Sequence, residues 1–268
     1  MEFSTAPRIG KYSTGLVSVT FRQLSPQEIV ALVAAASQRG IEWGGDVHVP
    51  AGDLAQAHAV GQMTRDAGLE VVCYGSYYRC GEQKPGEPEF ETVLETALAL
   101  GAPSIRVWAG RRSPQDYTQE EAQAVKDDYV RICELALTHQ IDVATEFHGK
   151  TLTENRPSTV QFFRGIDLPN AKSLWQPHAR TDFATCLATM DDVQDRLAHI
   201  HVFHWGAGGW TDRRPLAEGE EDWKAYLDAV AADGQHRWAL IEFVAGDDPA
   251  HYPREAATLN HWVQHAAR

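Results

Sequence analysis

Gly15-Leu16-Val17-Ser18-Val19-Thr20-Phe21-Arg22-Gln23-Leu24-Ser25-Pro26-Gln27-Glu28 is the stretch on which the fold turns. Residues 15–20 form a short apolar run that reads as a strand. Ser25-Pro26-Gln27-Glu28 reads as a helix start, with Ser25 as N-cap and Pro26 at the first helical position. Between them stands Phe21-Arg22-Gln23-Leu24, with no GxGxxG. A doubly wound open sheet that binds a dinucleotide places its glycine-rich phosphate turn at this point. Without that turn, the unit reads as one stave of a closed barrel.

The same unit recurs outward from there. Further strands are expected at 41–43, 69–74, 104–108, 141–146, 172–175, 199–203 and 238–243, eight in all with the first. In the first helix Ile29, Val30, Leu32, Val33 and Ala36 share one broad face, and Gly40 is read as its end. Helices follow at 54–67 and 91–100, stopped by Gly68 and Gly101, then at 119–139, 158–164, 192–198, 221–232 and 254–267. No linker, low-complexity tract or composition shift interrupts the series. The expectation is an α/β protein, a (β/α)8 TIM barrel forming a single domain over 1–268.

The chain has 268 residues, 24 Lys+Arg against 37 Asp+Glu and a formal charge of −13, which argues against nucleic acid or an anionic membrane surface as partner. No run approaches the roughly 18 apolar residues of a membrane span, and residues 1–11 lack an apolar signal core. The four cysteines show no CxxC spacing and read as reduced thiols, so a cytoplasmic location is expected.

In a barrel the site lies at the C-terminal ends of the strands. There the sequence places Trp43 and His48 after strand two, Tyr77 after strand three, and Arg106 and Trp108 on strand four. Glu146 and His148 follow on strand five, Gln176 and His178 on six, His201 and His204 on seven, and Glu242 on eight. A ring of structural salt bridges would favour Lys and Arg with Asp and Glu. Histidine, carboxylate and aromatic residues together suit a metal ion and a polyol instead.

Glu146 and Glu242 each end an apolar run, where a carboxylate must be paired, protonated or metal-bound. Pairing with Arg106 or Lys150 is the plainer alternative. Period-two spacing puts His199 and His201 on one face, and His201 is the expected metal ligand. Gln176 stands where a metal site would want a carboxylate. Two Glu, one His and one Gln would carry −2, matching a divalent ion. Trp43, Tyr77, Trp108 and Trp205 serve equally as core residues or as the wall for a sugar ring. Arg106 can hold an anion or pair with the acidic surface.

Taken together, Gly40-Ile-Glu-Trp-Gly-Gly-Asp46, Glu146-Phe-His148, Leu197-Ala-His-Ile-His201 and Leu240-Ile-Glu-Phe243 resemble the xylose isomerase-like TIM-barrel family of sugar phosphate isomerases and epimerases. The resemblance implies one divalent ion (Mn, Mg, Co or Zn) held by Glu, Asp, His and Glu. These positions fall on Glu146, Gln176, His201 and Glu242, so Gln176 departs from the pattern, and His178 follows it by two residues rather than three. It further implies that Glu146 and Glu242 move protons beside a carbonyl, giving an enediolate.

Trp43, His48, Tyr77, Arg106, Trp108, His148, His178, His204 and Arg214 are the expected contacts to a small sugar or keto-sugar. His148 or His204 would relay a proton, and the glycine-rich loop 204–215 would cover the substrate. The leading expectation is a metal-dependent sugar isomerase or epimerase of carbohydrate metabolism, possible as a homo-oligomer. Alternatives are a lyase on a 3-keto-glycoside, a metal-free sugar-binding barrel and an endonuclease IV-like DNA repair enzyme.

Overall fold

The structure is a computed structural model and describes residues 11–178 and 181–266. Its strands are β1 (Tyr12–Val17), β2 (Gly40–Gly44), β3 (Glu70–Arg79), β4 (Ser104–Trp108), β5 (Asp142–Glu146), β6 (Ala171–Trp175), β7 (Leu197–Val202), β8 (His204–Trp205), β9 (Arg213–Arg214) and β10 (Arg237–Ile241). Eight of them close a parallel barrel in the order β1-β2-β3-β4-β5-β6-β7-β10. The ring shuts where Tyr12 lies opposite Arg237 and Leu16 opposite Ile241. β8 and β9 form a small antiparallel hairpin inserted before the last stave.

The helices are α1 (Pro26–Ala35), α2 (Leu54–Asp66), α3 (Phe90–Leu100), α4 (Gln119–Leu137), α5 (Arg156–Phe163), α6 (Phe183–Asp191), α7 (Glu220–Val230) and α8 (Tyr252–His265). Local chemistry sets their starts. Ser25 Oγ accepts the Glu28 N–H at 3.3 Å while Glu28 Oε2 accepts the Ser25 N–H at 2.7 Å, a reciprocal box that satisfies two orphan donors. Thr118 and Glu121 repeat it at α4. Gly101 ends α3 at φ +79°, a left-handed conformation costly for any residue with a Cβ.

Several boundaries differ from expectation: β3 runs on to Arg79, so Tyr77 lies on the strand rather than after it, β10 ends at Ile241, and three further cases have a clear local cause. β1 begins at Tyr12 and ends at Val17, and Ser18–Phe21 is a 3-10 turn. Ser18 Oγ is occupied there, accepting the Gly44 N–H at 2.9 Å, so the chain bends over the barrel rim. The helix expected over 192–198 is instead α6. Asp182 caps it, accepting the Thr185 N–H at 2.9 Å, and Cys186, Thr189 and Met190 form its buried stripe. Asp192 directly follows α6, residues 194–196 form only a 3-10 turn, and Leu197 already opens β7. Finally, α1 stops before Gly40, which is the first residue of β2; the left-handed residue after the helix is Ser37.

Strand alternation then sorts the side chains. Ile41 and Trp43 of β2, like Ile200 and Val202 of β7, join the large apolar layer between barrel and helices. Glu42, His199 and His201 face the interior, where Glu42 meets both histidines. Val17, Val19, Val72, Cys73 and Leu240, with Trp238 against them, form a second, small apolar cluster. The four cysteines are buried and free. Among the described residues no helix is long and apolar enough to cross a membrane.

Candidate active site

β5, β6, β7 and β10 deliver Glu146, Gln176, His201 and Glu242 to one place. Ligand-type atoms of Glu146, His201 and Glu242 lie within 4.8 Å of one another. Gln176 Nε2 donates to Glu146 Oε1 and to the Phe147 carbonyl oxygen, both at 3.0 Å. Those two acceptors fix the amide's orientation and leave Oε1 as its free end. Trp108 Nε1 donates to Glu146 Oε2 at 2.5 Å, and Arg106 Nη1 lies 3.3 Å from the same oxygen.

Beneath this cluster is a buried charge network. Glu42 Oε2 accepts His199 Nε2 at 2.9 Å and His201 Nε2 at 3.0 Å. Arg106 lies between Glu42 and Glu146, 3.9 Å from Glu42 Oε1, and is only 3% exposed. Burial disfavours each charge, but the partners outweigh it. His201 and His199 hold Glu42 well below the usual carboxylate range, and Arg106 holds Glu146 below it. Glu146 and Glu42 in turn raise the pKa of Arg106. The pairing weighed from sequence, Glu146 with Arg106, is therefore present.

A cavity of about 240 Å³ opens above the cluster, with Glu146, Gln176 and Glu242 in its lining. Tyr77, Trp108, His148 and Trp205 wall it, the Tyr77 ring standing edge-on to Trp108 at 5.2 Å. Arg22 and Trp210 reach it from the rim; Arg22 Nη2 donates to the Tyr77 hydroxyl at 2.9 Å. Trp210, on the hairpin, is 64% exposed. Beside Glu242, Phe243 takes φ +64°, which is strained for a bulky residue. Its N–H donates to Thr20 Oγ1 at 2.9 Å and its ring lies 3.8 Å under the Arg213 guanidinium. These contacts hold the backbone next to Glu242 in place.

Other expected substrate contacts lie outside this cavity. Trp43 faces outward and donates through Nε1 to Thr64 of α2 at 3.1 Å. His48 is buried, with Nδ1 3.0 Å from Ser18 Oγ and Nε2 3.1 Å from the Leu24 carbonyl oxygen, and burial lowers its pKa. His178 and His204 line a neighbouring cavity of about 140 Å³, separated from the first by Trp205. Arg214 is exposed on β9 and paired with Asp212 at 2.6 Å. In the opposite sense, sequence reasoning left Glu42 without a role. The available signal was a carboxylate inside the apolar run Gly40-Ile-Glu-Trp.

The residues present fit a divalent cation. Three buried carboxylates, Glu42, Glu146 and Glu242, face one guanidinium, so the cluster keeps a net negative charge whether or not His201 carries a proton. Gln176 Oε1 and His201 Nδ1 are buried without a hydrogen-bond partner. Burial alone would depress the His201 pKa, but Glu42 and Glu242 outweigh it and push it up to about 10. A cation taken up at Nδ1 would have to displace that proton.

The sequence profile described as xylose isomerase-like TIM barrel matches residues 30–262. The chain is 27% identical over 233 residues to a 3-dehydroshikimate dehydratase of Bacillus anthracis, covering 78% of this chain and 82% of that protein. A crystal structure of a probable 3-DHS dehydratase from Bacillus anthracis superposes with TM-score 0.76 at 20% identity, covering 92% and 98% of the two chains. The apo 3-keto-D-glucoside 4-epimerase of E. coli gives 0.72 at 18%, covering 94% and 100%. The match to the profile spans most of the barrel, and the chain belongs to the xylose isomerase-like TIM-barrel family.

Proposed function

We propose that the protein is a divalent-metal-dependent sugar isomerase or epimerase that removes a proton beside the carbonyl of a small polyhydroxylated ketone. The observation that carries this reading is the convergence of Glu146, Gln176 and Glu242 at the floor of one cavity, with Gln176 Oε1 buried without a hydrogen-bond partner and His201 Nδ1 buried 3.4 Å from Glu242 Oε2. These four groups would hold the cation, of the Mn, Mg, Co or Zn class. When bound, it supplies Lewis acidity toward the carbonyl and the adjacent hydroxyl oxygen.

The chain's own residues do the rest. Glu242 and Glu146 flank the reacting carbon and move the proton off and back. Arg106 keeps Glu146 ionised, and the Trp108 N–H holds its orientation. Tyr77, Trp108 and Trp205 offer flat faces to the apolar side of a sugar. His148, in the cavity wall, relays a proton to a sugar oxygen. Trp210, on the β8–β9 hairpin, stands at the mouth of the cavity, where it would meet the substrate.

The test combines cation content, measured on chelator-free protein, with a screen of keto-sugars for solvent-deuterium incorporation. About one equivalent of cation and exchange at a carbon beside the carbonyl support the reading. A protein that takes up no Mn, Mg, Co or Zn and exchanges no proton overturns it.

A second reading is dehydration, in which the same proton removal is followed by loss of a hydroxide one carbon further on. The 27% identity to a 3-dehydroshikimate dehydratase favours it. Incubation with 3-dehydroshikimate separates the two: growth of an aromatic ultraviolet band marks dehydration, and deuterium uptake without such a band marks isomerisation or epimerisation.

A further inference from the structure

Glu42 is the buried carboxylate that the chemistry above leaves unused. On the ring, β2 and β7 are three strands apart, with β1 and β10 between them, so the side chain crosses the barrel interior to reach His199 and His201. Its path is built. The β2–β3 register slips by one residue between Ile41 and Glu42. Such a slip re-aims side chains locally. Gly75 leaves room as well: a Cβ there would stand 2.9 Å from Glu42 Oε1 and 3.2 Å from Arg106 Nη2.

A neutral imidazole carries one N–H, and the partner of one nitrogen decides what the other presents. His201 Nε2 lies 3.0 Å from Glu42 Oε2, while Nδ1 lies 3.4 Å from Glu242 Oε2 and has no hydrogen-bond partner. We propose that Glu42 is the positioning residue of the site: it takes the Nε2–H of neutral His201 and so aims the Nδ1 lone pair at the place bounded by Glu146 and Glu242. The inference rests on reading that place as a cation centre. A carboxylate does this better than a carbonyl, because the charge-assisted bond is stronger and makes the opposite nitrogen a better donor to a metal. His199, the second donor on the same oxygen, and Arg106, beside the other oxygen, hold the Glu42 carboxylate in place.

The experiment is Mn2+ binding by titration calorimetry to wild type and Glu42→Gln, with 15N NMR of histidine-labelled, Zn2+-loaded wild type. The expected result is about 10- to 100-fold weaker Mn2+ binding in the variant with an unchanged circular dichroism spectrum. The NMR should place the His201 proton on Nε2 and the ion on Nδ1. Equal affinity in Glu42→Gln, or a proton on Nδ1, overturns the role of Glu42 while leaving the cation centre standing. A wild type that binds neither ion overturns the centre and this role with it. If the variant does not fold, the wild-type NMR decides alone, since a merely structural Glu42 would not dictate the tautomer.

Discussion

The two halves of the barrel mouth differ in kind. β5, β6, β7 and β10 bring Glu146, Gln176, His201 and Glu242, which are acceptors and lone pairs. β3 and β4 bring Tyr77, Arg106 and Trp108, which are flat faces, donors and a cation. One half is short of positive charge and the other supplies too little to balance it. The halves are joined beneath the cavity by Arg106, which touches Glu146 on its own side and Glu42 across the interior. On the proposed function, ion affinity and substrate shape would be carried by different arcs of one ring, so mutations in the two arcs should produce different kinds of defect.

The sharpest way to break this division is Glu242→Gln. It removes a charge from the accepting arc without changing shape, and turnover in a deuterium-exchange assay should fall by about 10²–10⁴. Full retained exchange would dissolve the distinction.

Arg106→Met tests the join. It leaves Glu42 and Glu146 buried without their guanidinium, and urea unfolding should show a loss of about 3–5 kcal/mol. Both carboxylates have lowered pKa values in the folded protein, so their favourable contribution is present at neutral pH and is lost as pH falls through those lowered values. Without Arg106 the Glu146 pKa rises. The stability difference between variant and wild type should therefore shrink as pH drops below the ordinary glutamate value of 4.5.

Gln176→Glu sharpens the comparison from within the accepting arc. It keeps the shape but sets a carboxylate where an amide donates to Glu146 Oε1 and the Phe147 carbonyl. Without added cation the melting temperature should fall by several degrees, a loss of roughly 1–3 kcal/mol from reversing that hydrogen bond. With Mn2+ the loss should be recovered, and calorimetry should show tighter binding than in wild type. The smallest effect is expected at the rim. Trp210→Ala removes an exposed ring from the hairpin and should raise KM a few-fold with kcat nearly unchanged, measured by steady-state kinetics with whichever ketone exchanges.

Short-range signals carried most of the architecture. Ser25-Pro26 started α1 and Gly101 ended α3 where their chemistry said they should. The helix placed at 192–198 is only a 3-10 turn at 194–196, because the stripe that a helix can bury, Cys186, Thr189 and Met190, lies before it. At the site, Glu146, Gln176 and Glu242 were legible because each follows an apolar strand at the end where a barrel keeps its chemistry. Trp43 and His48 were not separable from them. A position just after a strand says nothing about whether the side chain turns inward or packs on Thr64 or Leu24.

What remained hidden depends on distance along the chain. Period-two and period-3.6 patterns are properties of neighbouring residues, so eight staves, their polarity and the polar strand ends can be read from order alone. Glu42 meets His199 157 residues away and His201 159 residues away. Arg106 meets Glu146 only because β4 and β5 pair in one particular register. From sequence Gln176 reads equally as ligand or bystander, and only the closed ring shows its Nε2 taken by Glu146 and the Phe147 carbonyl and its Oε1 left bare. Closing the ring brings these groups together in a low-dielectric interior, where pairing and orientation decide which atom is left to do chemistry.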